Sequence, residues 1–148
     1  PPLSLFASYS YNHSEYANDV RNAAGALLVA TDGKAVVDTP KHMIKGEVVF
    51  EQDGITARVG ADYMSKRYIT YLNDVTARSR VLMDASIGYQ FQGEGVLHGV
   101  GIEGSVTNLT DKKYIATIGS NGFVASGDNQ TLLAGAPRQF FVSLRTGL

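Results

Sequence analysis

Gly99-Val100-Gly101-Ile102-Glu103-Gly104 matches the GxGxxG pattern that cradles a dinucleotide pyrophosphate, and its reading decides between an α/β and an all-β fold. The nucleotide reading needs a preceding strand, a helix opening at the third glycine, and an acidic residue about 20 positions later. The next residues are Ser105-Val106-Thr107-Asn108-Leu109, rich in β-branched side chains and without a helical period. The segment therefore reads as a strand spanning Leu97 to Leu109. Val100, Ile102, Gly104 and Val106 share one face, and Gly99 and Gly101 fall on the other, where small residues permit bends and close approach.

Working outward, the same period of two recurs. Before the glycines, from about Arg78 to Phe91, Val81, Met83, Ala85, Ile87, Tyr89 and Phe91 oppose Arg80, Leu82, Asp84, Ser86, Gly88 and Gln90, and Gln92-Gly93-Glu94-Gly95 turns the chain. Further back, His42 to Glu51 and Ile55 to Met64 alternate on either side of Asp53-Gly54, a tight-turn signal that makes them a hairpin. Leu3, Leu5, Ala7, Tyr9 and Tyr11 alternate with polar residues at the start. Phe140, Val142, Leu144 and Leu148 do so at the end. Phe6, Val49, Leu82 and Phe141 interrupt the polar face. The expected fold is all-β, an antiparallel meander of about six strands.

Composition agrees. The 148 residues include 16 Gly, 8 Tyr and 6 Phe but no Trp and no Cys, a mixture suited to strands and turns and excluding disulfide scaffolds and thiolate metal sites. A formal charge of -1 gives no polycationic surface, so nucleic acid is not an expected partner. The longest apolar run, Ala23 to Ala30, is far short of the roughly 18 residues a membrane helix requires. The opening Pro1-Pro2-Leu3 lacks the charged and apolar regions of a signal peptide, so the reading expects a protein kept where it is made or a piece of a longer one.

The connections alternate as well. Asp53-Gly54 and Gln92 to Val96 are short. Those from about Ala17 to Lys41 and from Thr110 to Pro137 are long, and Leu72 to Ala77 lies between these extremes. Short turns at one end and long loops at the other describe an outer-membrane β-barrel. Within the first loop, Leu27 to Thr31 and Ala35 to Val37 flank Asp32-Gly33 and predict an additional hairpin. Periodicity alone does not separate a barrel, whose apolar face meets lipid, from a soluble sandwich, whose apolar faces meet each other. Segments of about 9 to 11 residues with Tyr or Phe near their ends suit a bilayer. Because a cation facing lipid at midplane costs about 2 to 4 kcal/mol, Arg58 and Arg80 are expected in the lumen.

Asn108-Leu109-Thr110-Asp111-Lys112-Lys113-Tyr114 resembles the N-L-[FT]-[DN]-[KR]-x-Y signature near the C-terminus of TonB-dependent outer-membrane receptors. Thr117 to Phe123 and Gly135-Ala136-Pro137-Arg138-Gln139-Phe140-Phe141 come next, in the family's order. Upstream, Thr39-Pro40-Lys41-His42 and Lys66 to Asp74 are similar to its late-barrel strands. The family's last residue is usually aromatic, and Thr146-Gly147-Leu148 departs from that. The family's barrel has 22 strands and a lumen plug, and six strands cannot close a membrane barrel. The resemblance therefore implies that residues 1–148 are one C-terminal segment of the barrel wall, without the plug and the N-terminal strands.

What it implies functionally is active import of a scarce ligand across the outer membrane of a Gram-negative bacterium, most often a ferric siderophore. Its partners would be outer-membrane lipid, the rest of the barrel and plug, and, through the absent N-terminal part, the TonB complex. No enzyme activity, metal site or resident cofactor is expected. Candidate ligand contacts are Arg67, Tyr68, Tyr71 and Asn73 above the third strand, and Tyr114, Asn121 and Phe123 in the last loop. Arg would pair with an anionic chelate and the rings would stack on catecholate or sugar faces. Tyr68 and Tyr71 equally suit loop packing or a membrane girdle, and Asn121-Gly122 a turn. Asp111-Lys112-Lys113 reads as a solvated charge cluster, and His13, His42 and His98 as ordinary polar positions. The alternative is a self-contained antiparallel β binding or adhesion module.

Overall fold

The alternating segments become extended strands because each presents β-branched and aromatic residues to one surface and polar residues to the other. The computed structural model describes residues 2–120 and 129–146. In chain order its strands are β1 (Leu3–Tyr11), β2 (Val20–Arg21), β3 (Leu27–Val29), β4 (His42–Gln52), β5 (Ile55–Met64) and β6 (Arg67–Tyr68). Then come β7 (Thr76–Ala77), β8 (Arg80–Gln90), β9 (Val100–Thr107), β10 (Ile115–Ser120), β11 (Gln130–Ala134) and β12 (Gln139–Thr146). Six of them form one antiparallel sheet in the order β1-β4-β5-β8-β9-β12, an up-and-down wall. The other six pair two by two as small hairpins within the long loops. No helix occurs among the described residues.

The register puts like with like. One cross-strand row runs Leu5, Val48, Val59, Ala85, Val106, Phe140, and the next runs Leu3, Phe50, Ala57, Ile87, Gly104, Val142. The opposite face carries Ser4, Val49, Arg58, Ser86, Ser105, Phe141, then Ser8, Lys45, Asp62, Leu82. Arg58 and Arg80 both lie on this second face, as expected. The four apolar interruptions lie there too, scattered among polar neighbours. A second layer would bury the apolar rows, yet Leu5 is 76% exposed, Ile87 64% and Val142 79%. A ten-residue strand such as β5 is roughly 34 Å long, and at a tilt of about 40° it rises about 26 Å, close to the height of a barrel's apolar band.

Each short turn has a local cause. Asp53 and Gly54 both take positive φ, 50° and 81°, as a two-residue primed turn requires, and a Cβ on Gly54 would sit 2.5 Å from the Gln90 carbonyl oxygen. At the other turn the strand begins later than periodicity suggests. Leu97 to Gly99 belong to the connection, with Val100 N–H donating to the Leu97 carbonyl and Gly99 at φ 78°. Gly99 thus serves the turn, and only Gly101 occupies the polar face of the strand.

The first loop corrects a second expectation. β3 pairs with β2 and not with Ala35 to Val37. Asn22 closes the β2–β3 turn by accepting from Ala24 and Ala26 N–H at 3.0 and 2.9 Å, with Gly25 at φ 83°, while Asp32-Gly33 still turns the chain, with Gly33 at φ 68° and Lys34 N–H donating to the Thr31 carbonyl at 2.9 Å. Ala35 instead bridges Glu15. The last loop also folds where periodicity carries no strand signal, into the β10–β11 hairpin.

Candidate ligand-facing loop end

The buried side chains of the described residues cluster outside the wall. Val29, Thr31, Ser65, Arg67, Thr70, Tyr71, Ala77, Asn108 and Ile118 all lie at the ends or within the three long connections, residues 12–41, 65–79 and 108–138. These loops share one end of the sheet, and they pack on one another to form a cap with its own interior.

Arg67 is the pin of that cap. Its guanidinium, 4% exposed, pairs with Asp38 at 2.5 Å and donates to the carbonyls of Ile115 at 2.5 Å and Ala116 at 3.1 Å. The second oxygen of Asp38 accepts from Ile118 N–H at 3.1 Å, and Asp38 N–H donates to the Tyr68 carbonyl at 3.1 Å. One ion pair therefore joins all three loops, and each oxygen of its carboxylate has a partner. Asp38 holds φ 59°, a conformation Asp tolerates better than most residues.

Two further ties reinforce it. Asn73, at φ 61°, accepts from Ala35 N–H at 2.7 Å and donates to the Ala35 carbonyl at 3.0 Å. Thr70 bonds Asp74 within the same turn. Tyr71, 2% exposed, meets Tyr16 edge-on with ring centres 6.1 Å apart. Burial raises the Tyr16 hydroxyl above the ordinary tyrosine value. Val37 N–H, donating to its oxygen, pulls the other way, and Tyr71 nearby pushes it up.

The Asn108-to-Tyr114 motif and the Gly135-to-Phe141 motif meet in space. Asn108, buried at φ 49°, accepts from Lys112 N–H at 2.8 Å and donates to the carbonyls of Lys112 at 2.9 Å and Ala136 at 3.0 Å. Its own N–H donates to Asp84 at 2.8 Å. Asp111, exposed and therefore solvated as expected, also accepts from Arg138 N–H at 3.0 Å. The spacing of these motifs is thus the spacing of a clasp between the stems of β9 and β12.

Of the residues singled out from sequence, Arg67, Tyr71 and Asn73 come together but point their polar groups into the cap. Tyr68 is half-buried, with Lys66 Nζ 5.7 Å from its ring. Tyr114 is half-buried across Gly135, where a Cβ would lie 2.1 Å from the ring, and the Arg80 guanidinium stacks 4.8 Å from its centre. Asn121 and Phe123 lie outside the described residues. The sequence reading missed Asp38, Tyr16 and the place of Arg80 over the Tyr114 ring at the loop end. An isolated Asp before Thr39-Pro40 carries no signal of a partner 29 residues away.

No family-wide sequence profile matches the chain. It is 26% identical over 131 residues to the ferrioxamine B receptor of Salmonella typhimurium, covering 88% of this chain and 18% of that protein. Its fold superposes on the siderophore receptor PiuA from Acinetobacter baumannii with a TM-score of 0.73 at 20% identity, covering 97% of this chain and 19% of that one. The ferric citrate transporter FecA in its unliganded form gives 0.69 at 19% identity, covering 95% and 20%. The chain thus spans less than a fifth of the curated relative's length, and these relatives are receptors and a transporter, not enzymes. Sequence match and superposition agree: the chain is a distant homologue of the TonB-dependent siderophore receptors, and its six-stranded wall corresponds to part of their outer-membrane β-barrel.

Proposed function

We propose that residues 1–148 form one late stretch of the wall and outer loops of a Gram-negative outer-membrane receptor that imports a ferric siderophore, energised through TonB acting on a plug outside this chain. The observation that carries the reading is, among the described residues, the uncovered apolar face of the wall combined with a packed cap at its loop end. A soluble module would cover that face, because leaving it in water forgoes about 25 cal/mol for every Å². The ferrioxamine B receptor supplies the cargo class by name.

In this reading Tyr68 offers a ring face to the ligand, and Tyr114, Asn121 and Phe123 are further candidate contacts in the last loop's sequence. Arg67, Tyr71 and Asn73 contribute by holding the cap in shape. Lipid meets the apolar face and the plug meets the polar one.

The test is uptake of radiolabelled ferric ferrioxamine B by cells that lack their own receptors and express the full-length protein. Energy-dependent uptake that falls when Tyr68 and Tyr114 are both replaced by Ala is expected. Absence of uptake for ferrioxamine and for ferric citrate alike would remove the import reading. A monodisperse, cooperatively folding monomer of residues 1–148 in plain buffer would favour the self-contained module instead.

A further inference from the structure

We propose that the three long loops stay joined as one fixed rim throughout import, so that movement over the ligand is confined to the tip of the β2–β3 hairpin and to loops outside residues 1–148. The inference rests on the reading of the loop end as the ligand side of a receptor.

The ties between the loops close a triangle. Residues 12–41 and 65–79 are joined by the Asp38–Arg67 pair, by Asn73 on both backbone groups of Ala35, and by the edge-on contact of Tyr16 with Tyr71. Residues 65–79 and 108–138 are joined where Arg67 donates to the Ile115 and Ala116 carbonyls. Residues 12–41 and 108–138 are joined where Ile118 N–H donates to Asp38. Each loop is thus tied to both others. Swinging any one alone breaks two sides of the triangle and strips partners from a buried ion pair.

Every corner of the triangle is also fastened to the wall. Asn12 N–H donates to the Lys41 carbonyl at 2.9 Å and closes the neck of the first loop, and Ser65 N–H donates to the His42 carbonyl at 2.9 Å at the foot of the second. Asn108 N–H donates to Asp84 at 2.8 Å and Leu109 N–H to the Met83 carbonyl at 2.7 Å at the foot of the third. Arg80, bound to Asp62 on the wall at 3.3 Å, lies over the Tyr114 ring and holds the third loop a second time.

Among the described residues the β2–β3 tip stands outside this network. Residues 21–28 are all exposed. The bonds that shape the tip are local: Asn22 accepts from Ala24 and Ala26 N–H, and Arg21 donates to the Gly25 carbonyl at 3.2 Å and pairs with Asp19 at 3.5 Å. The network resumes at the base of the hairpin, where the buried Thr31 hydroxyl donates to the Asn18 carbonyl at 2.7 Å. Exposed, local bonds open readily, whereas buried ties between distant segments open only with the whole unit. A ligand shifts a conformational equilibrium only by its difference in affinity for the two states, so the element that yields is the one held least.

The experiment is pulsed electron paramagnetic resonance on the full-length receptor in liposomes. Nitroxide labels are placed in pairs at Asp32→Cys, Arg78→Cys and Lys113→Cys, one exposed position on each loop, and distances are read with and without ferric ferrioxamine B or ferric citrate. All three distances should hold to within about 2 Å, the scale that separates side-chain adjustment from loop rearrangement. A label at Ala24→Cys, on the tip, should show a broader distribution to Lys113→Cys than the Asp32→Cys label does. Adding Asp38→Ala should broaden all three distances. A shift larger than that scale on adding either complex overturns the proposal. So do distances that stay sharp in the Asp38→Ala background, since the interlock is then not what holds the rim, and a tip label as narrowly placed as the one at position 32. Retention of each complex, radiolabelled with iron, is measured in the same samples. If neither is retained, it is the receptor reading that fails, and the inference falls with it; with either retained, the distances alone decide.

Discussion

Replacing Asp38 by Ala should open the cap and leave the wall standing. The replacement strands a guanidinium that is 4% exposed, while the lost carboxylate was itself 25% exposed. Breaking a buried pair from one side costs about 3 to 5 kcal/mol. Arg67 keeps the Ile115 and Ala116 carbonyls, which lowers that to about 2 kcal/mol. The orphaned Ile118 N–H adds about 1 kcal/mol. A total of about 3 kcal/mol is roughly a hundredfold in the local opening constant. Amide hydrogen exchange of the receptor in detergent micelles reads it directly. The Ile69 amide, bonded to the Val75 carbonyl inside the cap, should exchange about a hundred times faster, and the Val59 amide in the wall should not change.

The pair is asymmetric, which sharpens the test. Arg67→Met keeps the apolar stem, leaves a carboxylate that is partly solvated and still bonded to Ile118 N–H, and frees the carbonyls of half-buried Ile115 and Ala116, which water can reach, so it should cost less than Asp38→Ala. The double replacement should then be milder than Asp38→Ala alone, because no charge is left buried. Wall amides that accelerate in step with the cap, or an Arg67→Met variant worse than Asp38→Ala, would refute the idea of a cap pinned by one buried charge.

The same geometry sets three other outcomes. Val59→Arg on the apolar face should cost about 2 to 4 kcal/mol in refolding into lipid vesicles, while Ser86→Arg, on the polar face beside Arg58, should cost little; equal costs would contradict the assignment of faces. Gly135→Ala should destabilise by about 1 to 3 kcal/mol, because its Cβ would occupy the Tyr114 ring, and Tyr114→Ala should remove most of that penalty when combined with it, as read by thermal unfolding. Because burial raises the Tyr16 pKa above 10.0, the protonated phenol favours the folded cap; that stability is fully present below pH 10 and is lost as pH rises through the folded value. Tyr16→Phe should abolish the alkaline loosening in the hydrogen-exchange profile, and an unchanged profile would assign it to another group.

The wall is legible in the order of residues alone. Alternation from Ile55 to Met64, closed by Asp53-Gly54, specifies a strand, its partner and which side chains share a face, since the period of two and the primed turn act within a few residues. Gly101 and Gly104 resolve into a strand for the same local reason, and Gly99 into the turn before it. The cap takes its form only in three dimensions. Arg67, Tyr71 and Asn73 look like exposed loop residues because polar and aromatic groups between strands usually are. Their partners are Asp38, Tyr16 and Ala35, set on a different loop and brought within reach only once the wall strands align their ends. Asp38 meets Ile118 across 80 residues of chain. Buried polar groups must find such partners, but nothing in their immediate neighbours says which ones, so the pattern that yields the faces is silent on the contacts that close the loops.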